Sequence, residues 1–345
     1  MTRRPRNSTL ALALIAGFAA AVAIVVAAIV AGSNDGSGRA ATSPGTVAGD
    51  PSAASEHAVE VALPSVVQVE STGKLGSGIV FDADGDIVTN AHVVSGSRTF
   101  TITTSDGKRH SATLRGAFTA SDLAVVRVTG DHLTPAHFAD SSKLKVGERV
   151  LAIGNPLGLR SSVTDGIVSA VARTVSEGNG VALPSVVQTS AAINPGNSGG
   201  ALIDLSGAVI GIPTLAATDP ELGGSAAPGV GFAISSDTVT RIAGQLVKQG
   251  QVVDSGRASL GADLRSLPSG GVMVASVTTG GPSAKAGVHA GDLIAAIAGR
   301  LVGSLDGVSL ALATRKPGDT VRVGLRQPDG STATVSVKLG QLPGR

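Results

Sequence analysis

The 345-residue sequence predicts a mostly β protein with a small α+β domain at its C-terminal end and one hydrophobic helix at its start. Short runs rich in Val and Ile recur between turn residues from about residue 58 to 235, with no long helical pattern between them. A new pattern of glycine-rich turns begins near Arg257, and a charge-free apolar run lies near the N-terminus. Many short strands without intervening helices indicate a sandwich or a pair of barrels.

The N-terminal segment is predicted to anchor the chain in a membrane. Three arginines lie within residues 1–8, and residues 9–31 contain no charged side chain. As a helix this run would span about 35 Å, enough for a bilayer core. Because it is longer than the apolar region of a secretory signal peptide, we expect an uncleaved signal anchor, with the domains that follow it outside the cytoplasm. Small residues near Ala28 and Ala31 leave cleavage as the alternative.

Residues 32–57 are predicted to form a flexible linker, since they are rich in Gly, Ser, Ala, Pro and Asp and show no apolar periodicity. The charge of the whole chain is nearly balanced, 27 Lys+Arg against 25 Asp+Glu, so no nucleic-acid partner is expected. The absence of cysteine excludes disulfides and thiol catalysis. No histidine lies in a metal-ligand pattern, and neither a metal nor another cofactor is expected.

Residues 58–250 are predicted to form one β domain. Asp82 to Asp86 is expected to be a hairpin turn, because its acidic spacing lacks the other ligands of a calcium loop. Helical spacing from Ser236 to Gln249, followed by Gly250 as a stop, closes the domain. The predicted strands are Val66 to Val69, Gly78 to Phe81, Phe100 to Thr103, Leu123 to Val128, Val150 to Ile153, Ile167 to Val171, Ala208 to Ile212 and Val230 to Ile234.

A glycine-rich loop from Ala191 to Gly200 presents Ser198 in a backbone that can turn tightly. A serine attacks a carbonyl carbon well only beside a general base, and the oxyanion that forms needs preorganised donors. The pattern also fits the nucleophile elbow of α/β-hydrolases, whose order along the chain is serine, acid, histidine. Only His289 follows Ser198, far downstream in another predicted domain. The loop therefore predicts that a histidine and a carboxylate lie upstream.

Two upstream segments supply these residues. His92 follows an apolar, strand-like run, and Asp122 opens another such run. The order His92, Asp122, Ser198 is the order of the catalytic residues in chymotrypsin-like β-barrel enzymes. Alone, each residue could be structural, but the three contexts agree.

With these motifs the chain resembles the HtrA (Deg) family of serine proteases across roughly residues 60 to 340. The resemblance implies two six-stranded chymotrypsin-like barrels followed by a PDZ domain. It also implies that His92 is the general base, that Asp122 orients it, and that Ser198 is the nucleophile. The motifs that carry the resemblance are Gly76-Ser77-Gly78, Thr89 to Val94, Ser121 to Val126 and Ile193 to Gly200.

The same loop predicts an oxyanion hole formed by Gly196, Asn197 and Ser198, with the N–H groups of Gly196 and Ser198 as its principal donors. Secreted digestive relatives of the fold carry aspartate just before the nucleophile, and this aspartate pairs with a newly cut N-terminus. Asn197 cannot form that ion pair. The resemblance thus implies that no zymogen is cut and that the shape of the surrounding loops sets the activity.

Substrate specificity is predicted to favour small or medium apolar residues before the cleaved bond. Ala192 lies six residues before Ser198, where trypsin-like enzymes carry the carboxylate that recognises Lys or Arg. By resemblance, the pocket is lined by Ala192, Ile193 and the stretch Thr214-Leu215-Ala216. Two positions depart from the family pattern: Ser190 replaces a usual aspartate, and Pro213 replaces a usual asparagine.

The C-terminal region, residues 257–342, resembles the PDZ module of the same family. Ser259, Leu260, Gly261 and Ala262 match its carboxylate-binding loop, whose N–H groups receive a peptide C-terminus while the peptide adds a strand beside the sheet. A helix around Leu305 to Ala313 is expected to form the other wall of this groove.

Together these features predict a membrane-anchored, extracytoplasmic serine endopeptidase that degrades unfolded or damaged proteins and is regulated by C-terminal peptides at its PDZ groove. The alternative is a chaperone-like or signalling scaffold that binds clients with weak hydrolysis. The family resemblance implies homotrimers, and Phe118 is the one obvious aromatic candidate for packing them. A sequence repeat, Ala62 to Gln68 and Ala182 to Gln188, is interpreted as coincidental, with context deciding the structure of each copy.

Overall fold

The computed structural model describes residues 51–130, 132–155, 162–178, 180–194, 196–219 and 225–344. The predicted anchor, residues 9–31, lies outside these ranges, as does most of the predicted linker. Among the residues described, no helix is both long enough and apolar enough to cross a membrane.

The first β-barrel is closed by six antiparallel strands in the order β1-β2-β3-β6-β5-β4. Nearly all of the side chains in β1, β2, β3 and β6 that face its interior are Val or Ile and are fully buried, as expected for a core without Trp or Tyr. The strands are β1 Val66–Ser71, β2 Lys74–Val80, β3 Asp86–Thr89, β4 Thr99–Thr103, β5 Arg109–Phe118 and β6 Leu123–Val128.

The second barrel repeats this architecture with the order β10-β11-β12-β9-β8-β7. The long strands β8 and β9 extend beyond the barrel as a hairpin, with register shifts near their ends. The strands are β7 Arg149–Gly154, β8 Ser162–Gly178, β9 Val181–Thr189, β10 Ala201–Asp204, β11 Val209–Asp219 and β12 Ser225–Ser235. The two closed barrels confirm the predicted β architecture.

Each of the eight predicted strands overlaps a strand of the two barrels, but β3, β5, β9 and β10 match none of them. The run that forms β3 was noted only as strand-like, because it precedes His92. In β5 most side chains are at least partly exposed and few are strongly apolar, so the apolar signal for a strand is weak. The predicted turn at Asp82 to Asp86 is confirmed. It joins β2 to β3, and Asp82 Oδ1 accepts hydrogen bonds from the backbone N–H groups of Asp84 and Asp86 at 3.0 and 3.1 Å.

Three helices belong to the barrel region. Helix α1 spans Pro51–Ala62. Its first seven residues, 51–57, were predicted to belong to the flexible linker. The helix forms because Pro suits the first helical position and because Ala58 and Ala62 bury their methyl groups against the core. Helix α2 (Ala91–Val94) is a single turn. Helix α3 (Ser236–Gln249) has its predicted bounds, and Gly250 ends it in the left-handed region at φ 69°.

Phe118 is only 2 % exposed and packs in the core cluster shared by both barrels and α3. This side chain therefore cannot supply the surface aromatic contact expected of it. Phe118 is the one aromatic side chain among the fully buried members of this cluster, and its ring fills space that Val or Ala would leave empty.

The C-terminal domain has its own hydrophobic core, with Val272, Val274 and Ile297 fully buried. One sheet runs in the order β14-β15-β16-β18-β19, with β17 paired to β16, so β14 is an edge strand. The strands are β13 Ala258–Ser259, β14 Ala262–Ser266, β15 Val272–Val277, β16 Leu293–Ile297, β17 Arg300–Leu301, β18 Thr320–Arg326, β19 Thr332–Lys338 and β20 Gly340–Gln341, and the helices are α4 Pro282–Lys285 and α5 Leu305–Ala313.

Candidate active site

The structure brings His92 and Asp122 into direct contact. His92 lies on α2, and its Nδ1 is 2.8 Å from Asp122 Oδ2. The backbone N–H of His92 donates to Asp122 Oδ1 at 2.9 Å, so both carboxylate oxygens are engaged. Asp122 sits in the left-handed region at φ 48°, which Asp tolerates better than most residues. Asn90 holds the same turn, because its Nδ2 donates to the Asp122 carbonyl at 3.0 Å.

The environment of His92 favours its protonated form. Burial alone would lower the pKa of His92, but the hydrogen bond and the charge of Asp122 raise it, with a smaller contribution from Glu177. The charge of Lys74 opposes this shift. The net effect is a pKa above the ordinary value of 6.5. The contact with Asp122 also fixes which ring nitrogen can face a reacting group, because Nδ1 is occupied and Nε2 is the other nitrogen.

Ser198 is held against the first barrel. Its carbonyl accepts a hydrogen bond from Ser77 N–H at 2.9 Å, and the next residue, Gly199, donates to Pro213 O at 3.0 Å. Gly199 has φ 81°, and a Cβ at this position would collide with Ser77 O and Thr89 Oγ1. Thr89 ends β3 just before α2, so the loop that carries Ser198 reaches the base of the segment that carries His92. Among the described residues, no hydrogen bond joins the side chains of Ser198 and His92.

The predicted oxyanion loop is braced from inside the protein. Ser77 Oγ donates to the Gly196 carbonyl at 2.5 Å and accepts from Asn155 N–H at 2.8 Å. The backbone N–H of Asn197 donates to Asn194 O at 3.2 Å, so this group serves the loop itself. Of the three residues predicted for the oxyanion hole, Gly196 and Ser198 remain the candidate donors.

The Asn197 side chain braces the nucleophile loop from within. It is 6 % exposed. Its Oδ1 accepts from Asn194 N–H at 3.1 Å, and its Nδ2 donates to Ala192 O at 3.0 Å. An amide can donate and accept at once, so Asn197 holds the N-terminal half of the loop without a charged partner.

The residues predicted to line a substrate pocket lie around this loop. Ala192 is exposed, and its carbonyl accepts from Thr164 Oγ1 at 2.9 Å. Ile193 is buried and packs against the bare backbone of Gly231. Leu215 and Ala216 lie in β11, where they pair with Phe232 and Gly231 of β12. Thr214 instead directs its hydroxyl to Asp122 Oδ2 at 2.6 Å.

The two departures from the family pattern have structural roles. Ser190 Oγ accepts a hydrogen bond from Ile167 N–H at 3.0 Å. Pro213 sits in β11 next to a register shift, where a residue without an N–H breaks no regular ladder bond. Its carbonyl holds Gly199, as described above.

Sequence reasoning missed Glu177, which lies near the end of β8. Its Oε1 is 2.9 Å from Thr214 Oγ1, the same hydroxyl that contacts Asp122. Burial raises the pKa of Glu177 to about 7, and the charge of Asp122 adds to the shift, whereas Thr214, His92 and Arg257 oppose it. No motif marks this residue, because only the fold of the β8–β9 hairpin brings it to the site.

Arg257 stands at the start of the C-terminal domain and contacts the same hairpin. Its Nη2 donates to Ala182 O at 2.6 Å. Burial lowers the pKa of Arg257 to about 10, with Glu177 opposing the shift and Arg241 adding to it. The hairpin is also held at its tip: Gly180 N–H donates to Asp306 Oδ1 at 2.6 Å, and Ser309 Oγ donates to Gly180 O.

The predicted carboxylate-binding loop lies beside this hairpin. Gly261 has φ 65°, and its N–H donates to Ser259 Oγ at 3.0 Å, while Leu260 is buried in the C-terminal core. A cavity of about 270 Å³ opens between the loop and helix α5, which has its predicted bounds. Its walls include Gly180, Val181, Arg257, Leu260, Ala262 and Leu312.

Comparison with known proteins agrees with this geometry. Residues 76–212 match the trypsin-like peptidase domain, and residues 258–339 match the PDZ domain. The chain is 37 % identical to "Serine protease PepD" of Mycobacterium tuberculosis over 98 % of this chain and 79 % of the relative. It is 40 % identical to "Serine protease Do-like HtrA" of Lactococcus lactis, over 77 % of this chain and 70 % of the relative.

Solved structures show the same fold. "HtrA-type protease AlgW with tripeptide" superposes with a TM-score of 0.58 and 31 % identity, covering 84 % of this chain and 97 % of that one. A serine endoprotease from Yersinia pestis gives a TM-score of 0.55 and 32 % identity, covering 83 % and 97 %. The chain therefore belongs to the HtrA/Deg family and is a trypsin-like serine protease with a PDZ domain.

Proposed function

We propose that this protease is anchored in a membrane, faces the extracytoplasmic side, and cleaves unfolded or damaged proteins with a His92-Asp122-Ser198 triad. The observation that carries the triad is the 2.8 Å contact of His92 Nδ1 with Asp122 Oδ2. It leaves Nε2 as the nitrogen that takes the serine proton.

The chemistry follows from these positions. Ser198 Oγ attacks the peptide carbonyl carbon as its proton moves to His92 Nε2, and the N–H groups of Gly196 and Ser198 receive the negative oxygen. The C–N bond then breaks as His92 gives the proton to the leaving amine. A water molecule, deprotonated by His92, then attacks the acyl-serine. The bond between the acyl carbon and Ser198 Oγ breaks as His92 returns the proton to Oγ, which releases the second product. Asp122 stabilises the protonated imidazole in both steps.

Replacing Ser198 with Ala tests this proposal. We expect the variant to lose about a million-fold in the chemical step, because no nucleophile remains for the acyl-enzyme. Cleavage of unfolded casein and labelling by a fluorophosphonate probe measure the loss. Ser206→Ala, on the exposed turn between β10 and β11, is the matched control and should cleave like the wild type. Equal casein cleavage by Ser198→Ala and the wild type would instead favour the client-binding scaffold.

We also propose that the substrate pocket prefers small or medium apolar residues before the cleaved bond. The support is the absence of a carboxylate from the residues predicted to line it, of which Ile193 is buried against Gly231. A peptide library read by mass spectrometry should show cleavage after Val, Ala, Leu or Ile. A dominant preference for Arg or Lys would contradict the assignment.

Regulation by C-terminal peptides is the third part of the proposal. The edge position of β14 offers backbone groups for an added strand, and the cavity beside Leu260 offers space for a terminal side chain. A peptide with a free C-terminal carboxylate should bind and change the rate of casein cleavage, whereas its amidated twin should not. Equal effects of the two peptides would contradict the predicted role of the carboxylate-binding loop in regulation.

The membrane anchor and the trimer are proposals that rest on the sequence and on the family. The anchor predicts that the full chain stays in the membrane fraction after an alkaline wash, and that deletion of residues 9–31 releases it. The trimer is tested by the native mass of a chain that begins at residue 51, the first described residue. A monomer would contradict it.

A further inference from the structure

A single hydroxyl group bridges two carboxyl groups beside the proposed base. Thr214 Oγ1 lies 2.6 Å from Asp122 Oδ2 and 2.9 Å from Glu177 Oε1. Thr214 is 8 % exposed and Asp122 is 3 % exposed, so water has little access to either. Both distances are within the range of hydrogen bonds between oxygen atoms.

The number of protons decides what these two contacts can be. A threonine hydroxyl has one proton to donate, and an ionised carboxylate has none. If both carboxyl groups were ionised, one of the two contacts would join oxygen atoms without a proton between them. Asp122 already accepts from His92 N and Nδ1, which stabilises its charged form. The proton that completes the bridge therefore belongs to Glu177.

The charges around Glu177 are consistent with a protonated carboxyl group. Asp122 faces it across Thr214 and opposes its ionisation, as burial does, and together they raise the pKa of Glu177 to about 7. The positive groups facing it are His92 and Arg257, and they favour ionisation. Arg241 acts on Arg257, and Lys74 acts on His92, each as a like charge.

We propose that Glu177 is a positioning residue for the triad: when protonated it donates to Thr214 Oγ1, and Thr214 then donates its own proton to Asp122. The inference rests on the proposed catalytic roles of His92, Asp122 and Ser198. Ionised Glu177 competes with Asp122 for the Thr214 proton and adds a second negative charge near His92. Because that charge favours the protonated imidazole, Glu177 and His92 titrate as a coupled pair.

Two substitutions separate the hydrogen bond from the charge. Glu177→Gln keeps a donor for Thr214 and removes the charge, whereas Glu177→Ala removes both. In each variant the acid limb of kcat/KM should move to lower pH by about half a unit, since a negative charge near His92 is gone. On the plateau wild-type Glu177 is largely ionised and cannot donate, whereas the Gln side chain donates at every pH. The plateau rate of Glu177→Gln should therefore exceed that of Glu177→Ala by about threefold to tenfold.

The experiment measures fluorophosphonate labelling of Ser198 and casein cleavage by the full chain between about pH 5 and 9. The position of the limb does not depend on how many molecules are correctly folded, so a partly misfolded variant still gives an answer. Glu148→Gln, also on the second barrel, is the matched control and should reproduce the wild-type profile. In a Thr214→Val background, the plateau difference between the Gln and Ala variants should vanish.

A Glu177→Gln profile that superimposes on the wild type would overturn the proposal, as would equal plateau rates for the Gln and Ala variants. Failure of the catalytic assignment gives a different result. In that case the wild type and Ser198→Ala would label equally, and no acid limb could be attributed to His92.

Discussion

The nucleophile loop, residues 191–200, and the β8–β9 hairpin both reach the proposed triad, but different parts of the protein hold them. The loop is fixed from within the two barrels, where Ser77 bonds the Gly196 carbonyl and Asn197 ties the loop to itself. The hairpin is fixed at its tip by helix α5 of the PDZ domain, through Asp306 and Ser309.

This difference separates two kinds of control. The contacts that shape the nucleophile loop all come from the protease domain. The position of Glu177 depends on a hairpin that the PDZ domain contacts three residues later, at Gly180. Changes in the loop and the triad should therefore alter the rate itself. Changes at the hairpin should have smaller effects that appear mainly in the pH profile.

The largest effect beyond loss of the nucleophile is expected for Asp122→Asn. The amide cannot stabilise the protonated imidazole, and it holds His92 in the wrong tautomer, so kcat should fall about ten-thousand-fold. Steady-state cleavage of casein measures the fall. The control, Asp165→Asn on the exposed face of β8, should retain the wild-type kcat. A loss below about tenfold would remove Asp122 from the triad.

Ser77→Ala tests the support of the loop. The change removes the donor to Gly196 O and the acceptor for Asn155 N–H, leaving buried groups unpaired at a cost of about 1–3 kcal/mol. We expect kcat to fall roughly tenfold to a hundredfold, with little change in KM, since the oxyanion donors lose their alignment. Ser111→Ala, exposed on β5, serves as the control. Unchanged kcat would mean that the loop holds its shape without Ser77.

The acid limb of the wild-type enzyme tests the electrostatics of His92. A base must be neutral to accept the serine proton, and the pKa of His92 lies above its ordinary 6.5 because Asp122 outweighs burial. Protonation therefore removes the base at a higher pH, and kcat/KM should reach half of its plateau above about pH 6.5. A rate that stays flat from about pH 5 to 8 would contradict His92 as the base.

The smallest effect is expected for the contact between the PDZ domain and the hairpin. Asp306→Ala removes the acceptor for Gly180 N–H and loosens the hairpin that carries Glu177. We expect a twofold to threefold lower rate, and an acid limb shifted towards that of Glu177→Gln by about two tenths of a pH unit. Asp329→Ala, in an exposed turn of the PDZ domain, should change neither quantity. An unchanged Asp306→Ala profile would show that the contact does not position Glu177.

Local patterns predicted most of the secondary structure. The bounds of α3 follow from helical spacing and from the stop residue Gly250, whereas α5 was expected from the family resemblance. Strand β5 was missed, because most of its side chains are at least partly exposed and few of them are strongly apolar. Helix α1 was missed because an Ala-rich helix resembles a linker until Ala58 and Ala62 find a core to pack on.

The repeated heptapeptide, Ala62 to Gln68 and Ala182 to Gln188, shows that the surrounding structure decides the conformation of a short segment. In the first copy, Ala62 ends α1, the next three residues form a 3-10 turn, and β1 begins at Val66. The second copy lies entirely in β9, with Ser185 at φ 57°. Identical residues thus form different structures because their neighbours pair with different strands, as the sequence analysis anticipated.

In the candidate site, too, the sequence predicts the residues that motifs mark and misses the residue that only tertiary structure brings there. The segments around His92, Asp122 and Ser198 carry motifs, so sequence alone located them, and the structure adds their distances and partners. Glu177 carries no motif. Its contact with Thr214 depends on the length and bend of the β8–β9 hairpin, which tertiary pairing sets and a local pattern cannot encode.

The bond between Ser77 Oγ and the Gly196 carbonyl joins residues that lie 119 positions apart, on the first barrel and on the nucleophile loop. A chain that has folded only its first barrel has no partner for Ser77, and an isolated second barrel has no support for the loop. We therefore expect the ability to cleave to arise only when the barrels dock. The completion of folding would then take the place of a maturation cut, and the nascent enzyme would be harmless to its own unfolded chain during biogenesis.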